Sequence, residues 1–395
     1  MPKTPANRCA SIGLFAGIGG LELGLHAAGF EPSLLCEIDP DASAVLAEKF
    51  PTAQRHSNIE TLHELPPADV LCAGFPCQDL SMAGTKTGIS GTRSGLVVKL
   101  FDLIEHAPSP PPIIVMENVP YMLGLDRGRA MRFLTEELNR LGYRWAYRVV
   151  DARAFGVPQR RLRVLLVACR SDEARDPRAI LFSDDTEPQV NDSTAISKED
   201  IAYGFYWTEG RRGLGWVVDG VPTIKGGSSI GIPSPPAIWD RPEGLLGTPD
   251  IRDLERLQGF KSNWTAAAST RARWRLVGNA VCVRVAEWLG SRILTPGTDY
   301  PIGTPCRTDR RWPKAAWGGP EERPHVVPVS TWPVNHQRQG LREFLQYGLK
   351  PLSERATSGY LARTRRATSL NFPPGFIEAV EDHLDSYRAQ QETVS

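Results

Sequence analysis

Short apolar runs that alternate with helix-length periodic segments constrain this chain more than any other feature. The runs are Ala10-Ser-Ile-Gly-Leu-Phe15, Ser33-Leu-Leu-Cys-Glu-Ile38, Asp69-Val-Leu-Cys-Ala73, Ile113-Ile-Val-Met116 and Leu162-Arg-Val-Leu-Leu-Val-Ala168. Helical periodicity lies between them, near 20–29, 40–49, 95–107 and 128–142. Parallel neighbours need a long crossover between them, and a helix is the usual one. The alternation predicts an α/β fold, a doubly wound and mostly parallel sheet with helices on both faces. Ligands of such sheets sit beyond the carboxyl ends of the strands.

The pattern changes along the chain. Residues 171–248 are rich in Gly, Pro, Ser and Trp with weak helical periodicity, which reads as a small loop-rich unit. Periodic helices return at Ile251–Phe260 and Val281–Ile293, and a Pro-, Gly- and Trp-rich stretch runs from Thr295 to Pro333. We therefore expect a catalytic domain over 1–170, to which 249–295 returns, a second domain over 171–248, and an extension of unassigned role over 296–395. A formal net charge of +1 over 395 residues excludes a protein that coats nucleic acid by charge alone, but allows a local basic cleft. The seven cysteines are scattered without a Cys-x-x-Cys pair, so no metal is expected. The sequence shows no membrane-length apolar run and no apolar stretch at its start, so a cytoplasmic chain with reduced thiols is expected.

The first strand runs into Phe15-Ala-Gly-Ile-Gly-Gly20. Glycines at a strand-to-helix turn make either a tight turn or a place where backbone approaches a ligand. Glu37 ends the second strand eighteen residues after Gly19, where a carboxylate can accept ribose hydroxyls. The dinucleotide fingerprint fits poorly, because its third glycine position is Glu22. A nucleoside without a pyrophosphate fits better, and S-adenosylmethionine is the candidate.

Three further turns carry chemistry. Gly74-Phe-Pro-Cys-Gln-Asp-Leu-Ser81 presents Cys77 at a strand end among polar and turn residues, followed by a Gly/Ser/Thr-rich segment that reads as a lid. A lone cysteine is more often a packed small hydrophobe, and Cys72, inside an apolar strand, reads that way. Val115-Met-Glu-Asn-Val-Pro120 brings Glu117 to the same sheet edge, where it either caps a helix or holds a proton on a substrate ring nitrogen. Gly156-Val-Pro-Gln-Arg-Arg-Leu-Arg163 places Arg161 and Arg163 on one strand face, as ligands of an anionic or carbonyl group or as an exposed basic strand.

Together these segments, with Arg252-Asp-Leu-Glu-Arg-Leu-Gln-Gly-Phe260 and Gly278-Asn279, resemble the cytosine-5 DNA methyltransferases in content and in order. The resemblance covers about residues 8–293. It implies a class I S-adenosylmethionine-dependent methyltransferase fold in which 171–248 recognises the target. It also implies methylation of a flipped cytosine in a specific double-stranded DNA sequence, through a covalent Cys77 adduct at carbon 6. Glu117 would contact ring nitrogen 3 and the exocyclic amine. Arg163 would hold the ring carbonyl, and Arg161 and Asn118 would support the site. The cofactor would be held by Phe15, Gly17, Ile18, Gly20, Glu37, Ile38, Asn58, Ile59, Gly74, Pro76, Leu96, Asn279 and Val281. Ile38 stands where the family often has a bulky aromatic, and Asn58 where an Asp is usual.

DNA contacts are expected at Gln78, Ser81, Gln159, Arg211, Arg212, Thr223 and Lys225. Thr223 belongs to Pro222-Thr-Ile-Lys-Gly-Gly227, which resembles the family's Thr-Leu element with Ile224 for Leu. A monomer on DNA is expected, with a cognate restriction endonuclease as a further partner. The competing readings are a tRNA cytosine methyltransferase, whose Cys-Phe-Thr tripeptide is not found here, and a catalytically silent DNA-binding regulator. For 296–395 the expectation is an accessory pack of helices on the core. The alternative is that Arg310, Arg311, Arg363, Arg365 and Arg366 hold DNA phosphates.

Overall fold

The computed structural model describes residues 8–75, 95–188, 200–208, 215–227, 234–307, 310–367 and 371–392. In chain order the strands begin with β1 (Cys9–Leu14), β2 (Phe30–Cys36), β3 (Gln54–His56), β4 (Val70–Ala73), β5 (Ile113–Asn118) and β6 (Tyr143–Asp151). Next come β7 (Gln159–Arg160), β8 (Leu162–Arg170), β9 (Ala202–Phe205), β10 (Trp216–Val218), β11 (Val221–Pro222), β12 (Ala237–Asp240) and β13 (Leu245–Thr248). The last are β14 (Thr304–Pro305), β15 (Ala315–Gly319), β16 (Glu322–Val326) and β17 (Lys350–Pro351). No helix among the described residues is long and apolar enough to cross a membrane.

The chain forms two compact units. The first comprises 1–155, 162–188 and 280–336, and the second comprises 156–161, 189–279 and 337–395. These limits differ from the linear division expected above. Residues 171–188 join the first unit, 249–279 join the second, and the C-terminal extension is shared between them. The reason is long-range pairing, which sequence-local composition does not register.

The first unit holds a ten-stranded sheet in the order β14-β16-β15-β6-β8-β5-β4-β1-β2-β3. From β3 to β5 every pairing is parallel. Beyond β5 every pairing is antiparallel. The expected parallel strands are therefore present, and an antiparallel extension makes the sheet mixed rather than mostly parallel. Side-chain alternation sets the two faces. Ile12, Leu14, Leu71, Ala73, Ile114 and Met116 point into one core with Val97, Leu100 and Phe101 of the helix Gly95–Glu105 and Met131, Leu134 and Leu138 of Arg129–Arg140. Gly13 and Cys72 lie on the other face, against Glu22 of the helix Gly20–Ala28. That helix packs on Val283–Leu294, so close at Gly24 that a Cβ there would stand 2.4 Å from the Cβ of Ala286.

The Pro- and Trp-rich stretch after Thr295 supplies β14, β15 and β16. Ala315 pairs with Arg148, across most of the chain length. Trp312 closes this edge: it is 3% exposed, its ring lies 5.9 Å from Trp145, and its backbone N–H donates to the Leu123 carbonyl at 2.9 Å.

The second unit is built on a five-stranded sheet, β10-β9-β12-β13-β17, antiparallel throughout. Its core joins Tyr203, Phe205, Trp239 and Leu246 to Tyr360 and Leu361 of the helix Glu354–Thr364 and to Phe376, Val380 and Leu384 of Phe376–Glu392. The accessory helices, expected on the methyltransferase core, instead complete the core of the loop-rich unit. Phe376 is 1% exposed and meets Phe205 at 5.1 Å and Trp239 at 5.4 Å. Phe376→Ala is expected to cost about 3–5 kcal/mol of stability, measured by chemical unfolding with the Trp fluorescence of the second unit as the probe. A loss below about 1 kcal/mol would mean that the helix is not part of this core.

Candidate active site

β1 delivers the chain into the glycine loop. Phe15 and Gly17 both take left-handed backbone, at φ 57° and 56°. That conformation is free for glycine and costs an L side chain about 1 kcal/mol. Phe15 is held in it from two sides. The Ala16 N–H donates to the Cys36 carbonyl at 3.1 Å, and the Phe15 ring meets Phe75 edge-on at 6.4 Å. A Cβ at Gly17 would find no atom within 4 Å, so the loop backbone is open to a ligand.

Glu37 follows β2 and ties this loop down. Its Oε2 accepts from Gly17 N–H at 2.7 Å and its Oε1 from Asp39 N–H at 2.8 Å. Each carboxylate oxygen has a further lone pair for a ribose hydroxyl. Ile38, next along, is 71% exposed, an uncovered apolar side chain suited to the face of a base. Open backbone, a tethered carboxylate and an uncovered apolar side chain in sequence fit a nucleoside.

The other expected cofactor residues divide. Ile18 and Ile59 are buried, Leu96 is half-buried in the first turn of its helix, and the Gly74 N–H donates to the Leu14 carbonyl at 3.4 Å. Val281 backs the loop: a Cβ at Gly20 would lie 2.4 Å from its carbonyl oxygen. Asn58 caps the short 3-10 turn Ile59–Thr61, its Oδ1 accepting from Glu60 N–H at 2.9 Å. The oxygen expected to meet an adenine amine is thus already engaged, with one lone pair remaining. Asn279 belongs to the second unit, where its Oδ1 is so close to Gly226 that a Cβ there would stand 2.1 Å away. Pro76 lies outside the described residues.

β5 and β8 build the polar centre. Asn118 opposes Val164 in the antiparallel register, which leaves Arg163 beside the end of β5. Arg163 Nε lies 2.7 Å from Glu117 Oε1, with Glu117 8% exposed. Arg163 Nη1 donates to the Leu162 carbonyl at 2.7 Å, and among the described residues Nη2 has no partner. A guanidinium at this distance offsets the burial of the carboxyl group and leaves its second oxygen for a ring. Asn118 is a positioning residue: its Nδ2 donates to the Phe75 carbonyl at 2.9 Å, two residues before Cys77, and its Oδ1 accepts from Val119 N–H at 2.9 Å. Cys77, Gln78 and Ser81 lie outside the described residues.

Arg161 and Arg163 do not share a strand face. β7 ends at Arg160, β8 begins at Leu162, and the two arginines belong to different units. Arg161 is 1% exposed and donates to the carbonyls of Ile224 at 2.9 Å and Gly278 at 3.2 Å. There it fastens the Thr-Ile-Lys turn to the helix Thr270–Asn279 within the second unit.

Among the expected DNA contacts, Gln159 is corrected by burial. It is 0% exposed, its amide nitrogen donates to the Leu257 carbonyl at 2.9 Å, and its Oε1 accepts from Ile224 N–H at 3.1 Å. An amide bonded on both sides in a core cannot read a base. Thr223 donates to the Arg160 carbonyl at 2.7 Å, and the Lys225 ammonium lies 4.2 Å from the Tyr206 ring centre. Both remain half-buried, with Lys225 held over an aromatic face. Arg211 and Arg212 lie outside the described residues.

Residues 9–206 match the family model for the C-5 cytosine-specific DNA methylase. The chain is 49% identical to the Type II methyltransferase M2.BsuMI of Bacillus subtilis (strain 168) over 94% of its length and 97% of that protein. The chain belongs to the C-5 cytosine-specific DNA methylase family. It is a DNA (cytosine-5-)-methyltransferase. The Type II methyltransferase M.NlaX of Neisseria lactamica is 30% identical over 71% of this chain and 95% of that one. The crystal structure of S. pombe Dnmt2 methyltransferase superimposes with a TM-score of 0.54 at 17% identity, covering 73% of this chain and 98% of that one, a likeness of fold.

One buried carboxyl group behind the glycine loop was passed over in the sequence, where Glu22 marked only a missing glycine. Its signal is a charged residue between the inward-facing Leu21 and Leu25. Glu22 is 1% exposed; its Oε1 accepts from the Cys72 thiol at 3.6 Å, and its Oε2 is buried without a hydrogen bond. Gly13 makes room for it, since a Cβ there would stand 2.2 Å from Oε1. Burial raises the Glu22 carboxyl to about 7, against hydrogen bonds from its own backbone and Cys72 that lower it. Burial and Glu22 together push the Cys72 thiol well above its usual range, so Cys72 is a packed donor, as expected. The folded chain thus keeps a proton that the unfolded chain releases near 4.5. Stability falls as pH rises from about 4.5 to about 7 and is flat above, by up to about 3 kcal/mol. Glu22→Gln is expected to flatten that slope, measured by urea unfolding at pH 5 and pH 8. An identical slope in wild type and variant would remove Glu22 as its cause.

Proposed function

We propose that this methylase modifies carbon 5 of a flipped cytosine within a specific double-stranded DNA sequence, through a covalent adduct of Cys77. The observation that carries the reading is the Glu117–Arg163 pair at the end of β5, beside the Asn118 tether that fixes the entry to the Cys77 segment. Carbon 5 of cytosine is a poor nucleophile, and stacking hides it until the base leaves the helix. The Cys77 thiolate bonds to carbon 6, and the π pair of the carbon 5–carbon 6 bond moves onto carbon 5. Glu117 at ring nitrogen 3 and the exocyclic amine prevents negative charge from building on the ring. Arg163, whose Nη2 has no partner among the described residues, would hold the ring carbonyl. Bound S-adenosylmethionine supplies a methyl group on a sulfonium sulfur, and Glu37, Gly17 and Ile38 would hold its nucleoside end. Carbon 5 is methylated; loss of its proton then expels Cys77 and restores the aromatic ring.

Target recognition falls to the second unit. Its support is the recognition expected of the 171–248 region, whose strands β9, β10, β12 and β13 lie in that unit, together with the C-terminal helices that close its core. The Type II relatives support a place in a restriction-modification system, with a cognate endonuclease as partner and the cytoplasm as location.

Cys77→Ser is expected to abolish methyl transfer while S-adenosylmethionine binding, followed by calorimetry, persists, because a serine hydroxyl does not ionise near neutral pH. DNA with 5-fluorocytosine at the target should trap wild type, and not the variant, in a complex that survives denaturing electrophoresis. Fluorine cannot leave as a proton does. Near-normal turnover of the serine variant would rule out the covalent route.

A further inference from the structure

Of the five tail arginines singled out in the sequence, the structure sorts the candidates. Arg363 donates to the Trp207 carbonyl and Arg365 pairs with Glu381 at 2.6 Å, so both are engaged inside their own unit, and the exposed Arg366 stands in that second unit as well. Arg310 and Arg311 are exposed, and neither has an acidic partner among the described residues. They are also fastened in place. The Arg310 carbonyl lies against Gly128, where a Cβ would stand 2.0 Å from it, and the Arg311 Cγ stands 3.6 Å from the Cβ position at Gly124. The adjoining Trp312 bonds twice to the same segment, through its N–H to the Leu123 carbonyl at 2.9 Å and its Nε1 to the Gly128 carbonyl at 3.1 Å.

The segment that receives them is strained. Asp126, Arg127 and Gly128 take left-handed backbone in succession, at φ 50°, 56° and 83°. Only glycine does so freely, and a run of three persists only where its surroundings fix it. The run turns Arg127 outward, exposed and also without an acidic partner among the described residues, while Asp126 is neutralised by Arg129. Tyr121, 69% exposed, stands on the same segment. This segment directly follows Glu117 and Asn118. Ten residues separate Glu117 from Arg127, so chain length alone keeps them within about 35 Å, roughly one turn of duplex. Four of the ten, Pro120–Leu123, are in a 3-10 turn, which shortens the span further.

We propose that Arg127, Arg310 and Arg311 form a backbone clamp for double-stranded DNA on the first unit, locked in position by Trp312 and engaging phosphates that flank the target base pair. The proposal rests on the DNA methylation reading above. Phosphate contacts position a duplex without reading its sequence. The clamp therefore sets affinity and duplex length dependence, not the methylated sequence.

The test uses the full chain, a duplex of about 40 base pairs and one of about 12 centred on the target, and measures binding across a salt series together with methyl transfer. For Arg310→Gln with Arg311→Gln, and separately for Arg127→Gln, the long-duplex salt slope should fall by about one per arginine removed. Affinity at 0.15 M salt should fall roughly five-fold per contact, while the short duplex, S-adenosylmethionine binding and the methylated sequence stay unchanged. An unchanged slope and affinity on the long duplex, with wild type methylating normally, would overturn the clamp and leave Arg310 and Arg311 a packing role. Equal losses on both duplexes would also overturn it, by placing the contacts inside the recognised site. If wild type failed to methylate the duplex cytosine at all, the reading beneath the proposal would fall instead.

Discussion

The ion pair between Glu117 and Arg163 exists because an antiparallel strand is inserted beside the last parallel one. β1, β2, β4 and β5 run the same way, so their carboxyl ends, and the loops that follow them, share one edge. β8 returns against β5 and brings an arginine to that edge from the opposite direction. A carboxylate this deeply buried needs a cation or a proton, and here the register supplies the cation. The Asn118 tether then ties the β4 loop to the same strand end. The glycine loop, Glu37 and Glu117 are thereby fixed by one sheet.

Burial at this centre meets different partners. Glu117 has the Arg163 guanidinium beside it, and Glu37 accepts from two backbone N–H groups. Glu22, one strand away on the other face, has only a thiol and its own backbone, and holds its proton until about pH 7. Three carboxyl groups of the first unit thus meet three different kinds of partner.

Much of this was legible in the sequence. Strand–helix alternation marked β1, β2, β4, β5 and β8 within a few residues, since parallel strands buried on both faces leave continuous apolar runs. Glu37 and Glu117 were legible from strand ends, and Cys72 from its place inside an apolar strand. Of the antiparallel half only β8 was legible: Ala315 pairs with Arg148, 167 positions earlier in the chain, and nothing local announces such a partner. The apolar Ala315-Ala-Trp-Gly-Gly319 followed by Pro320 was the available hairpin signal. Alternation misled at Arg161, because the strand breaks between Arg160 and Leu162 and the chain passes from one unit to the other. Gln159 looked like a DNA ligand because a polar residue in a basic motif reads as exposed, whereas its amide is bonded on both sides in a core.

Glu117 and Arg163 are proposed to act as one functional unit, and a double-mutant cycle on single-turnover methyl transfer tests that most directly. Glu117→Gln and Arg163→Gln should each slow transfer strongly with S-adenosylmethionine affinity retained. Joined, they should be within about two-fold of the slower single variant, because the second change removes a partner already lost. Penalties that multiply, with each variant folded, would show two residues acting independently and would contradict the account.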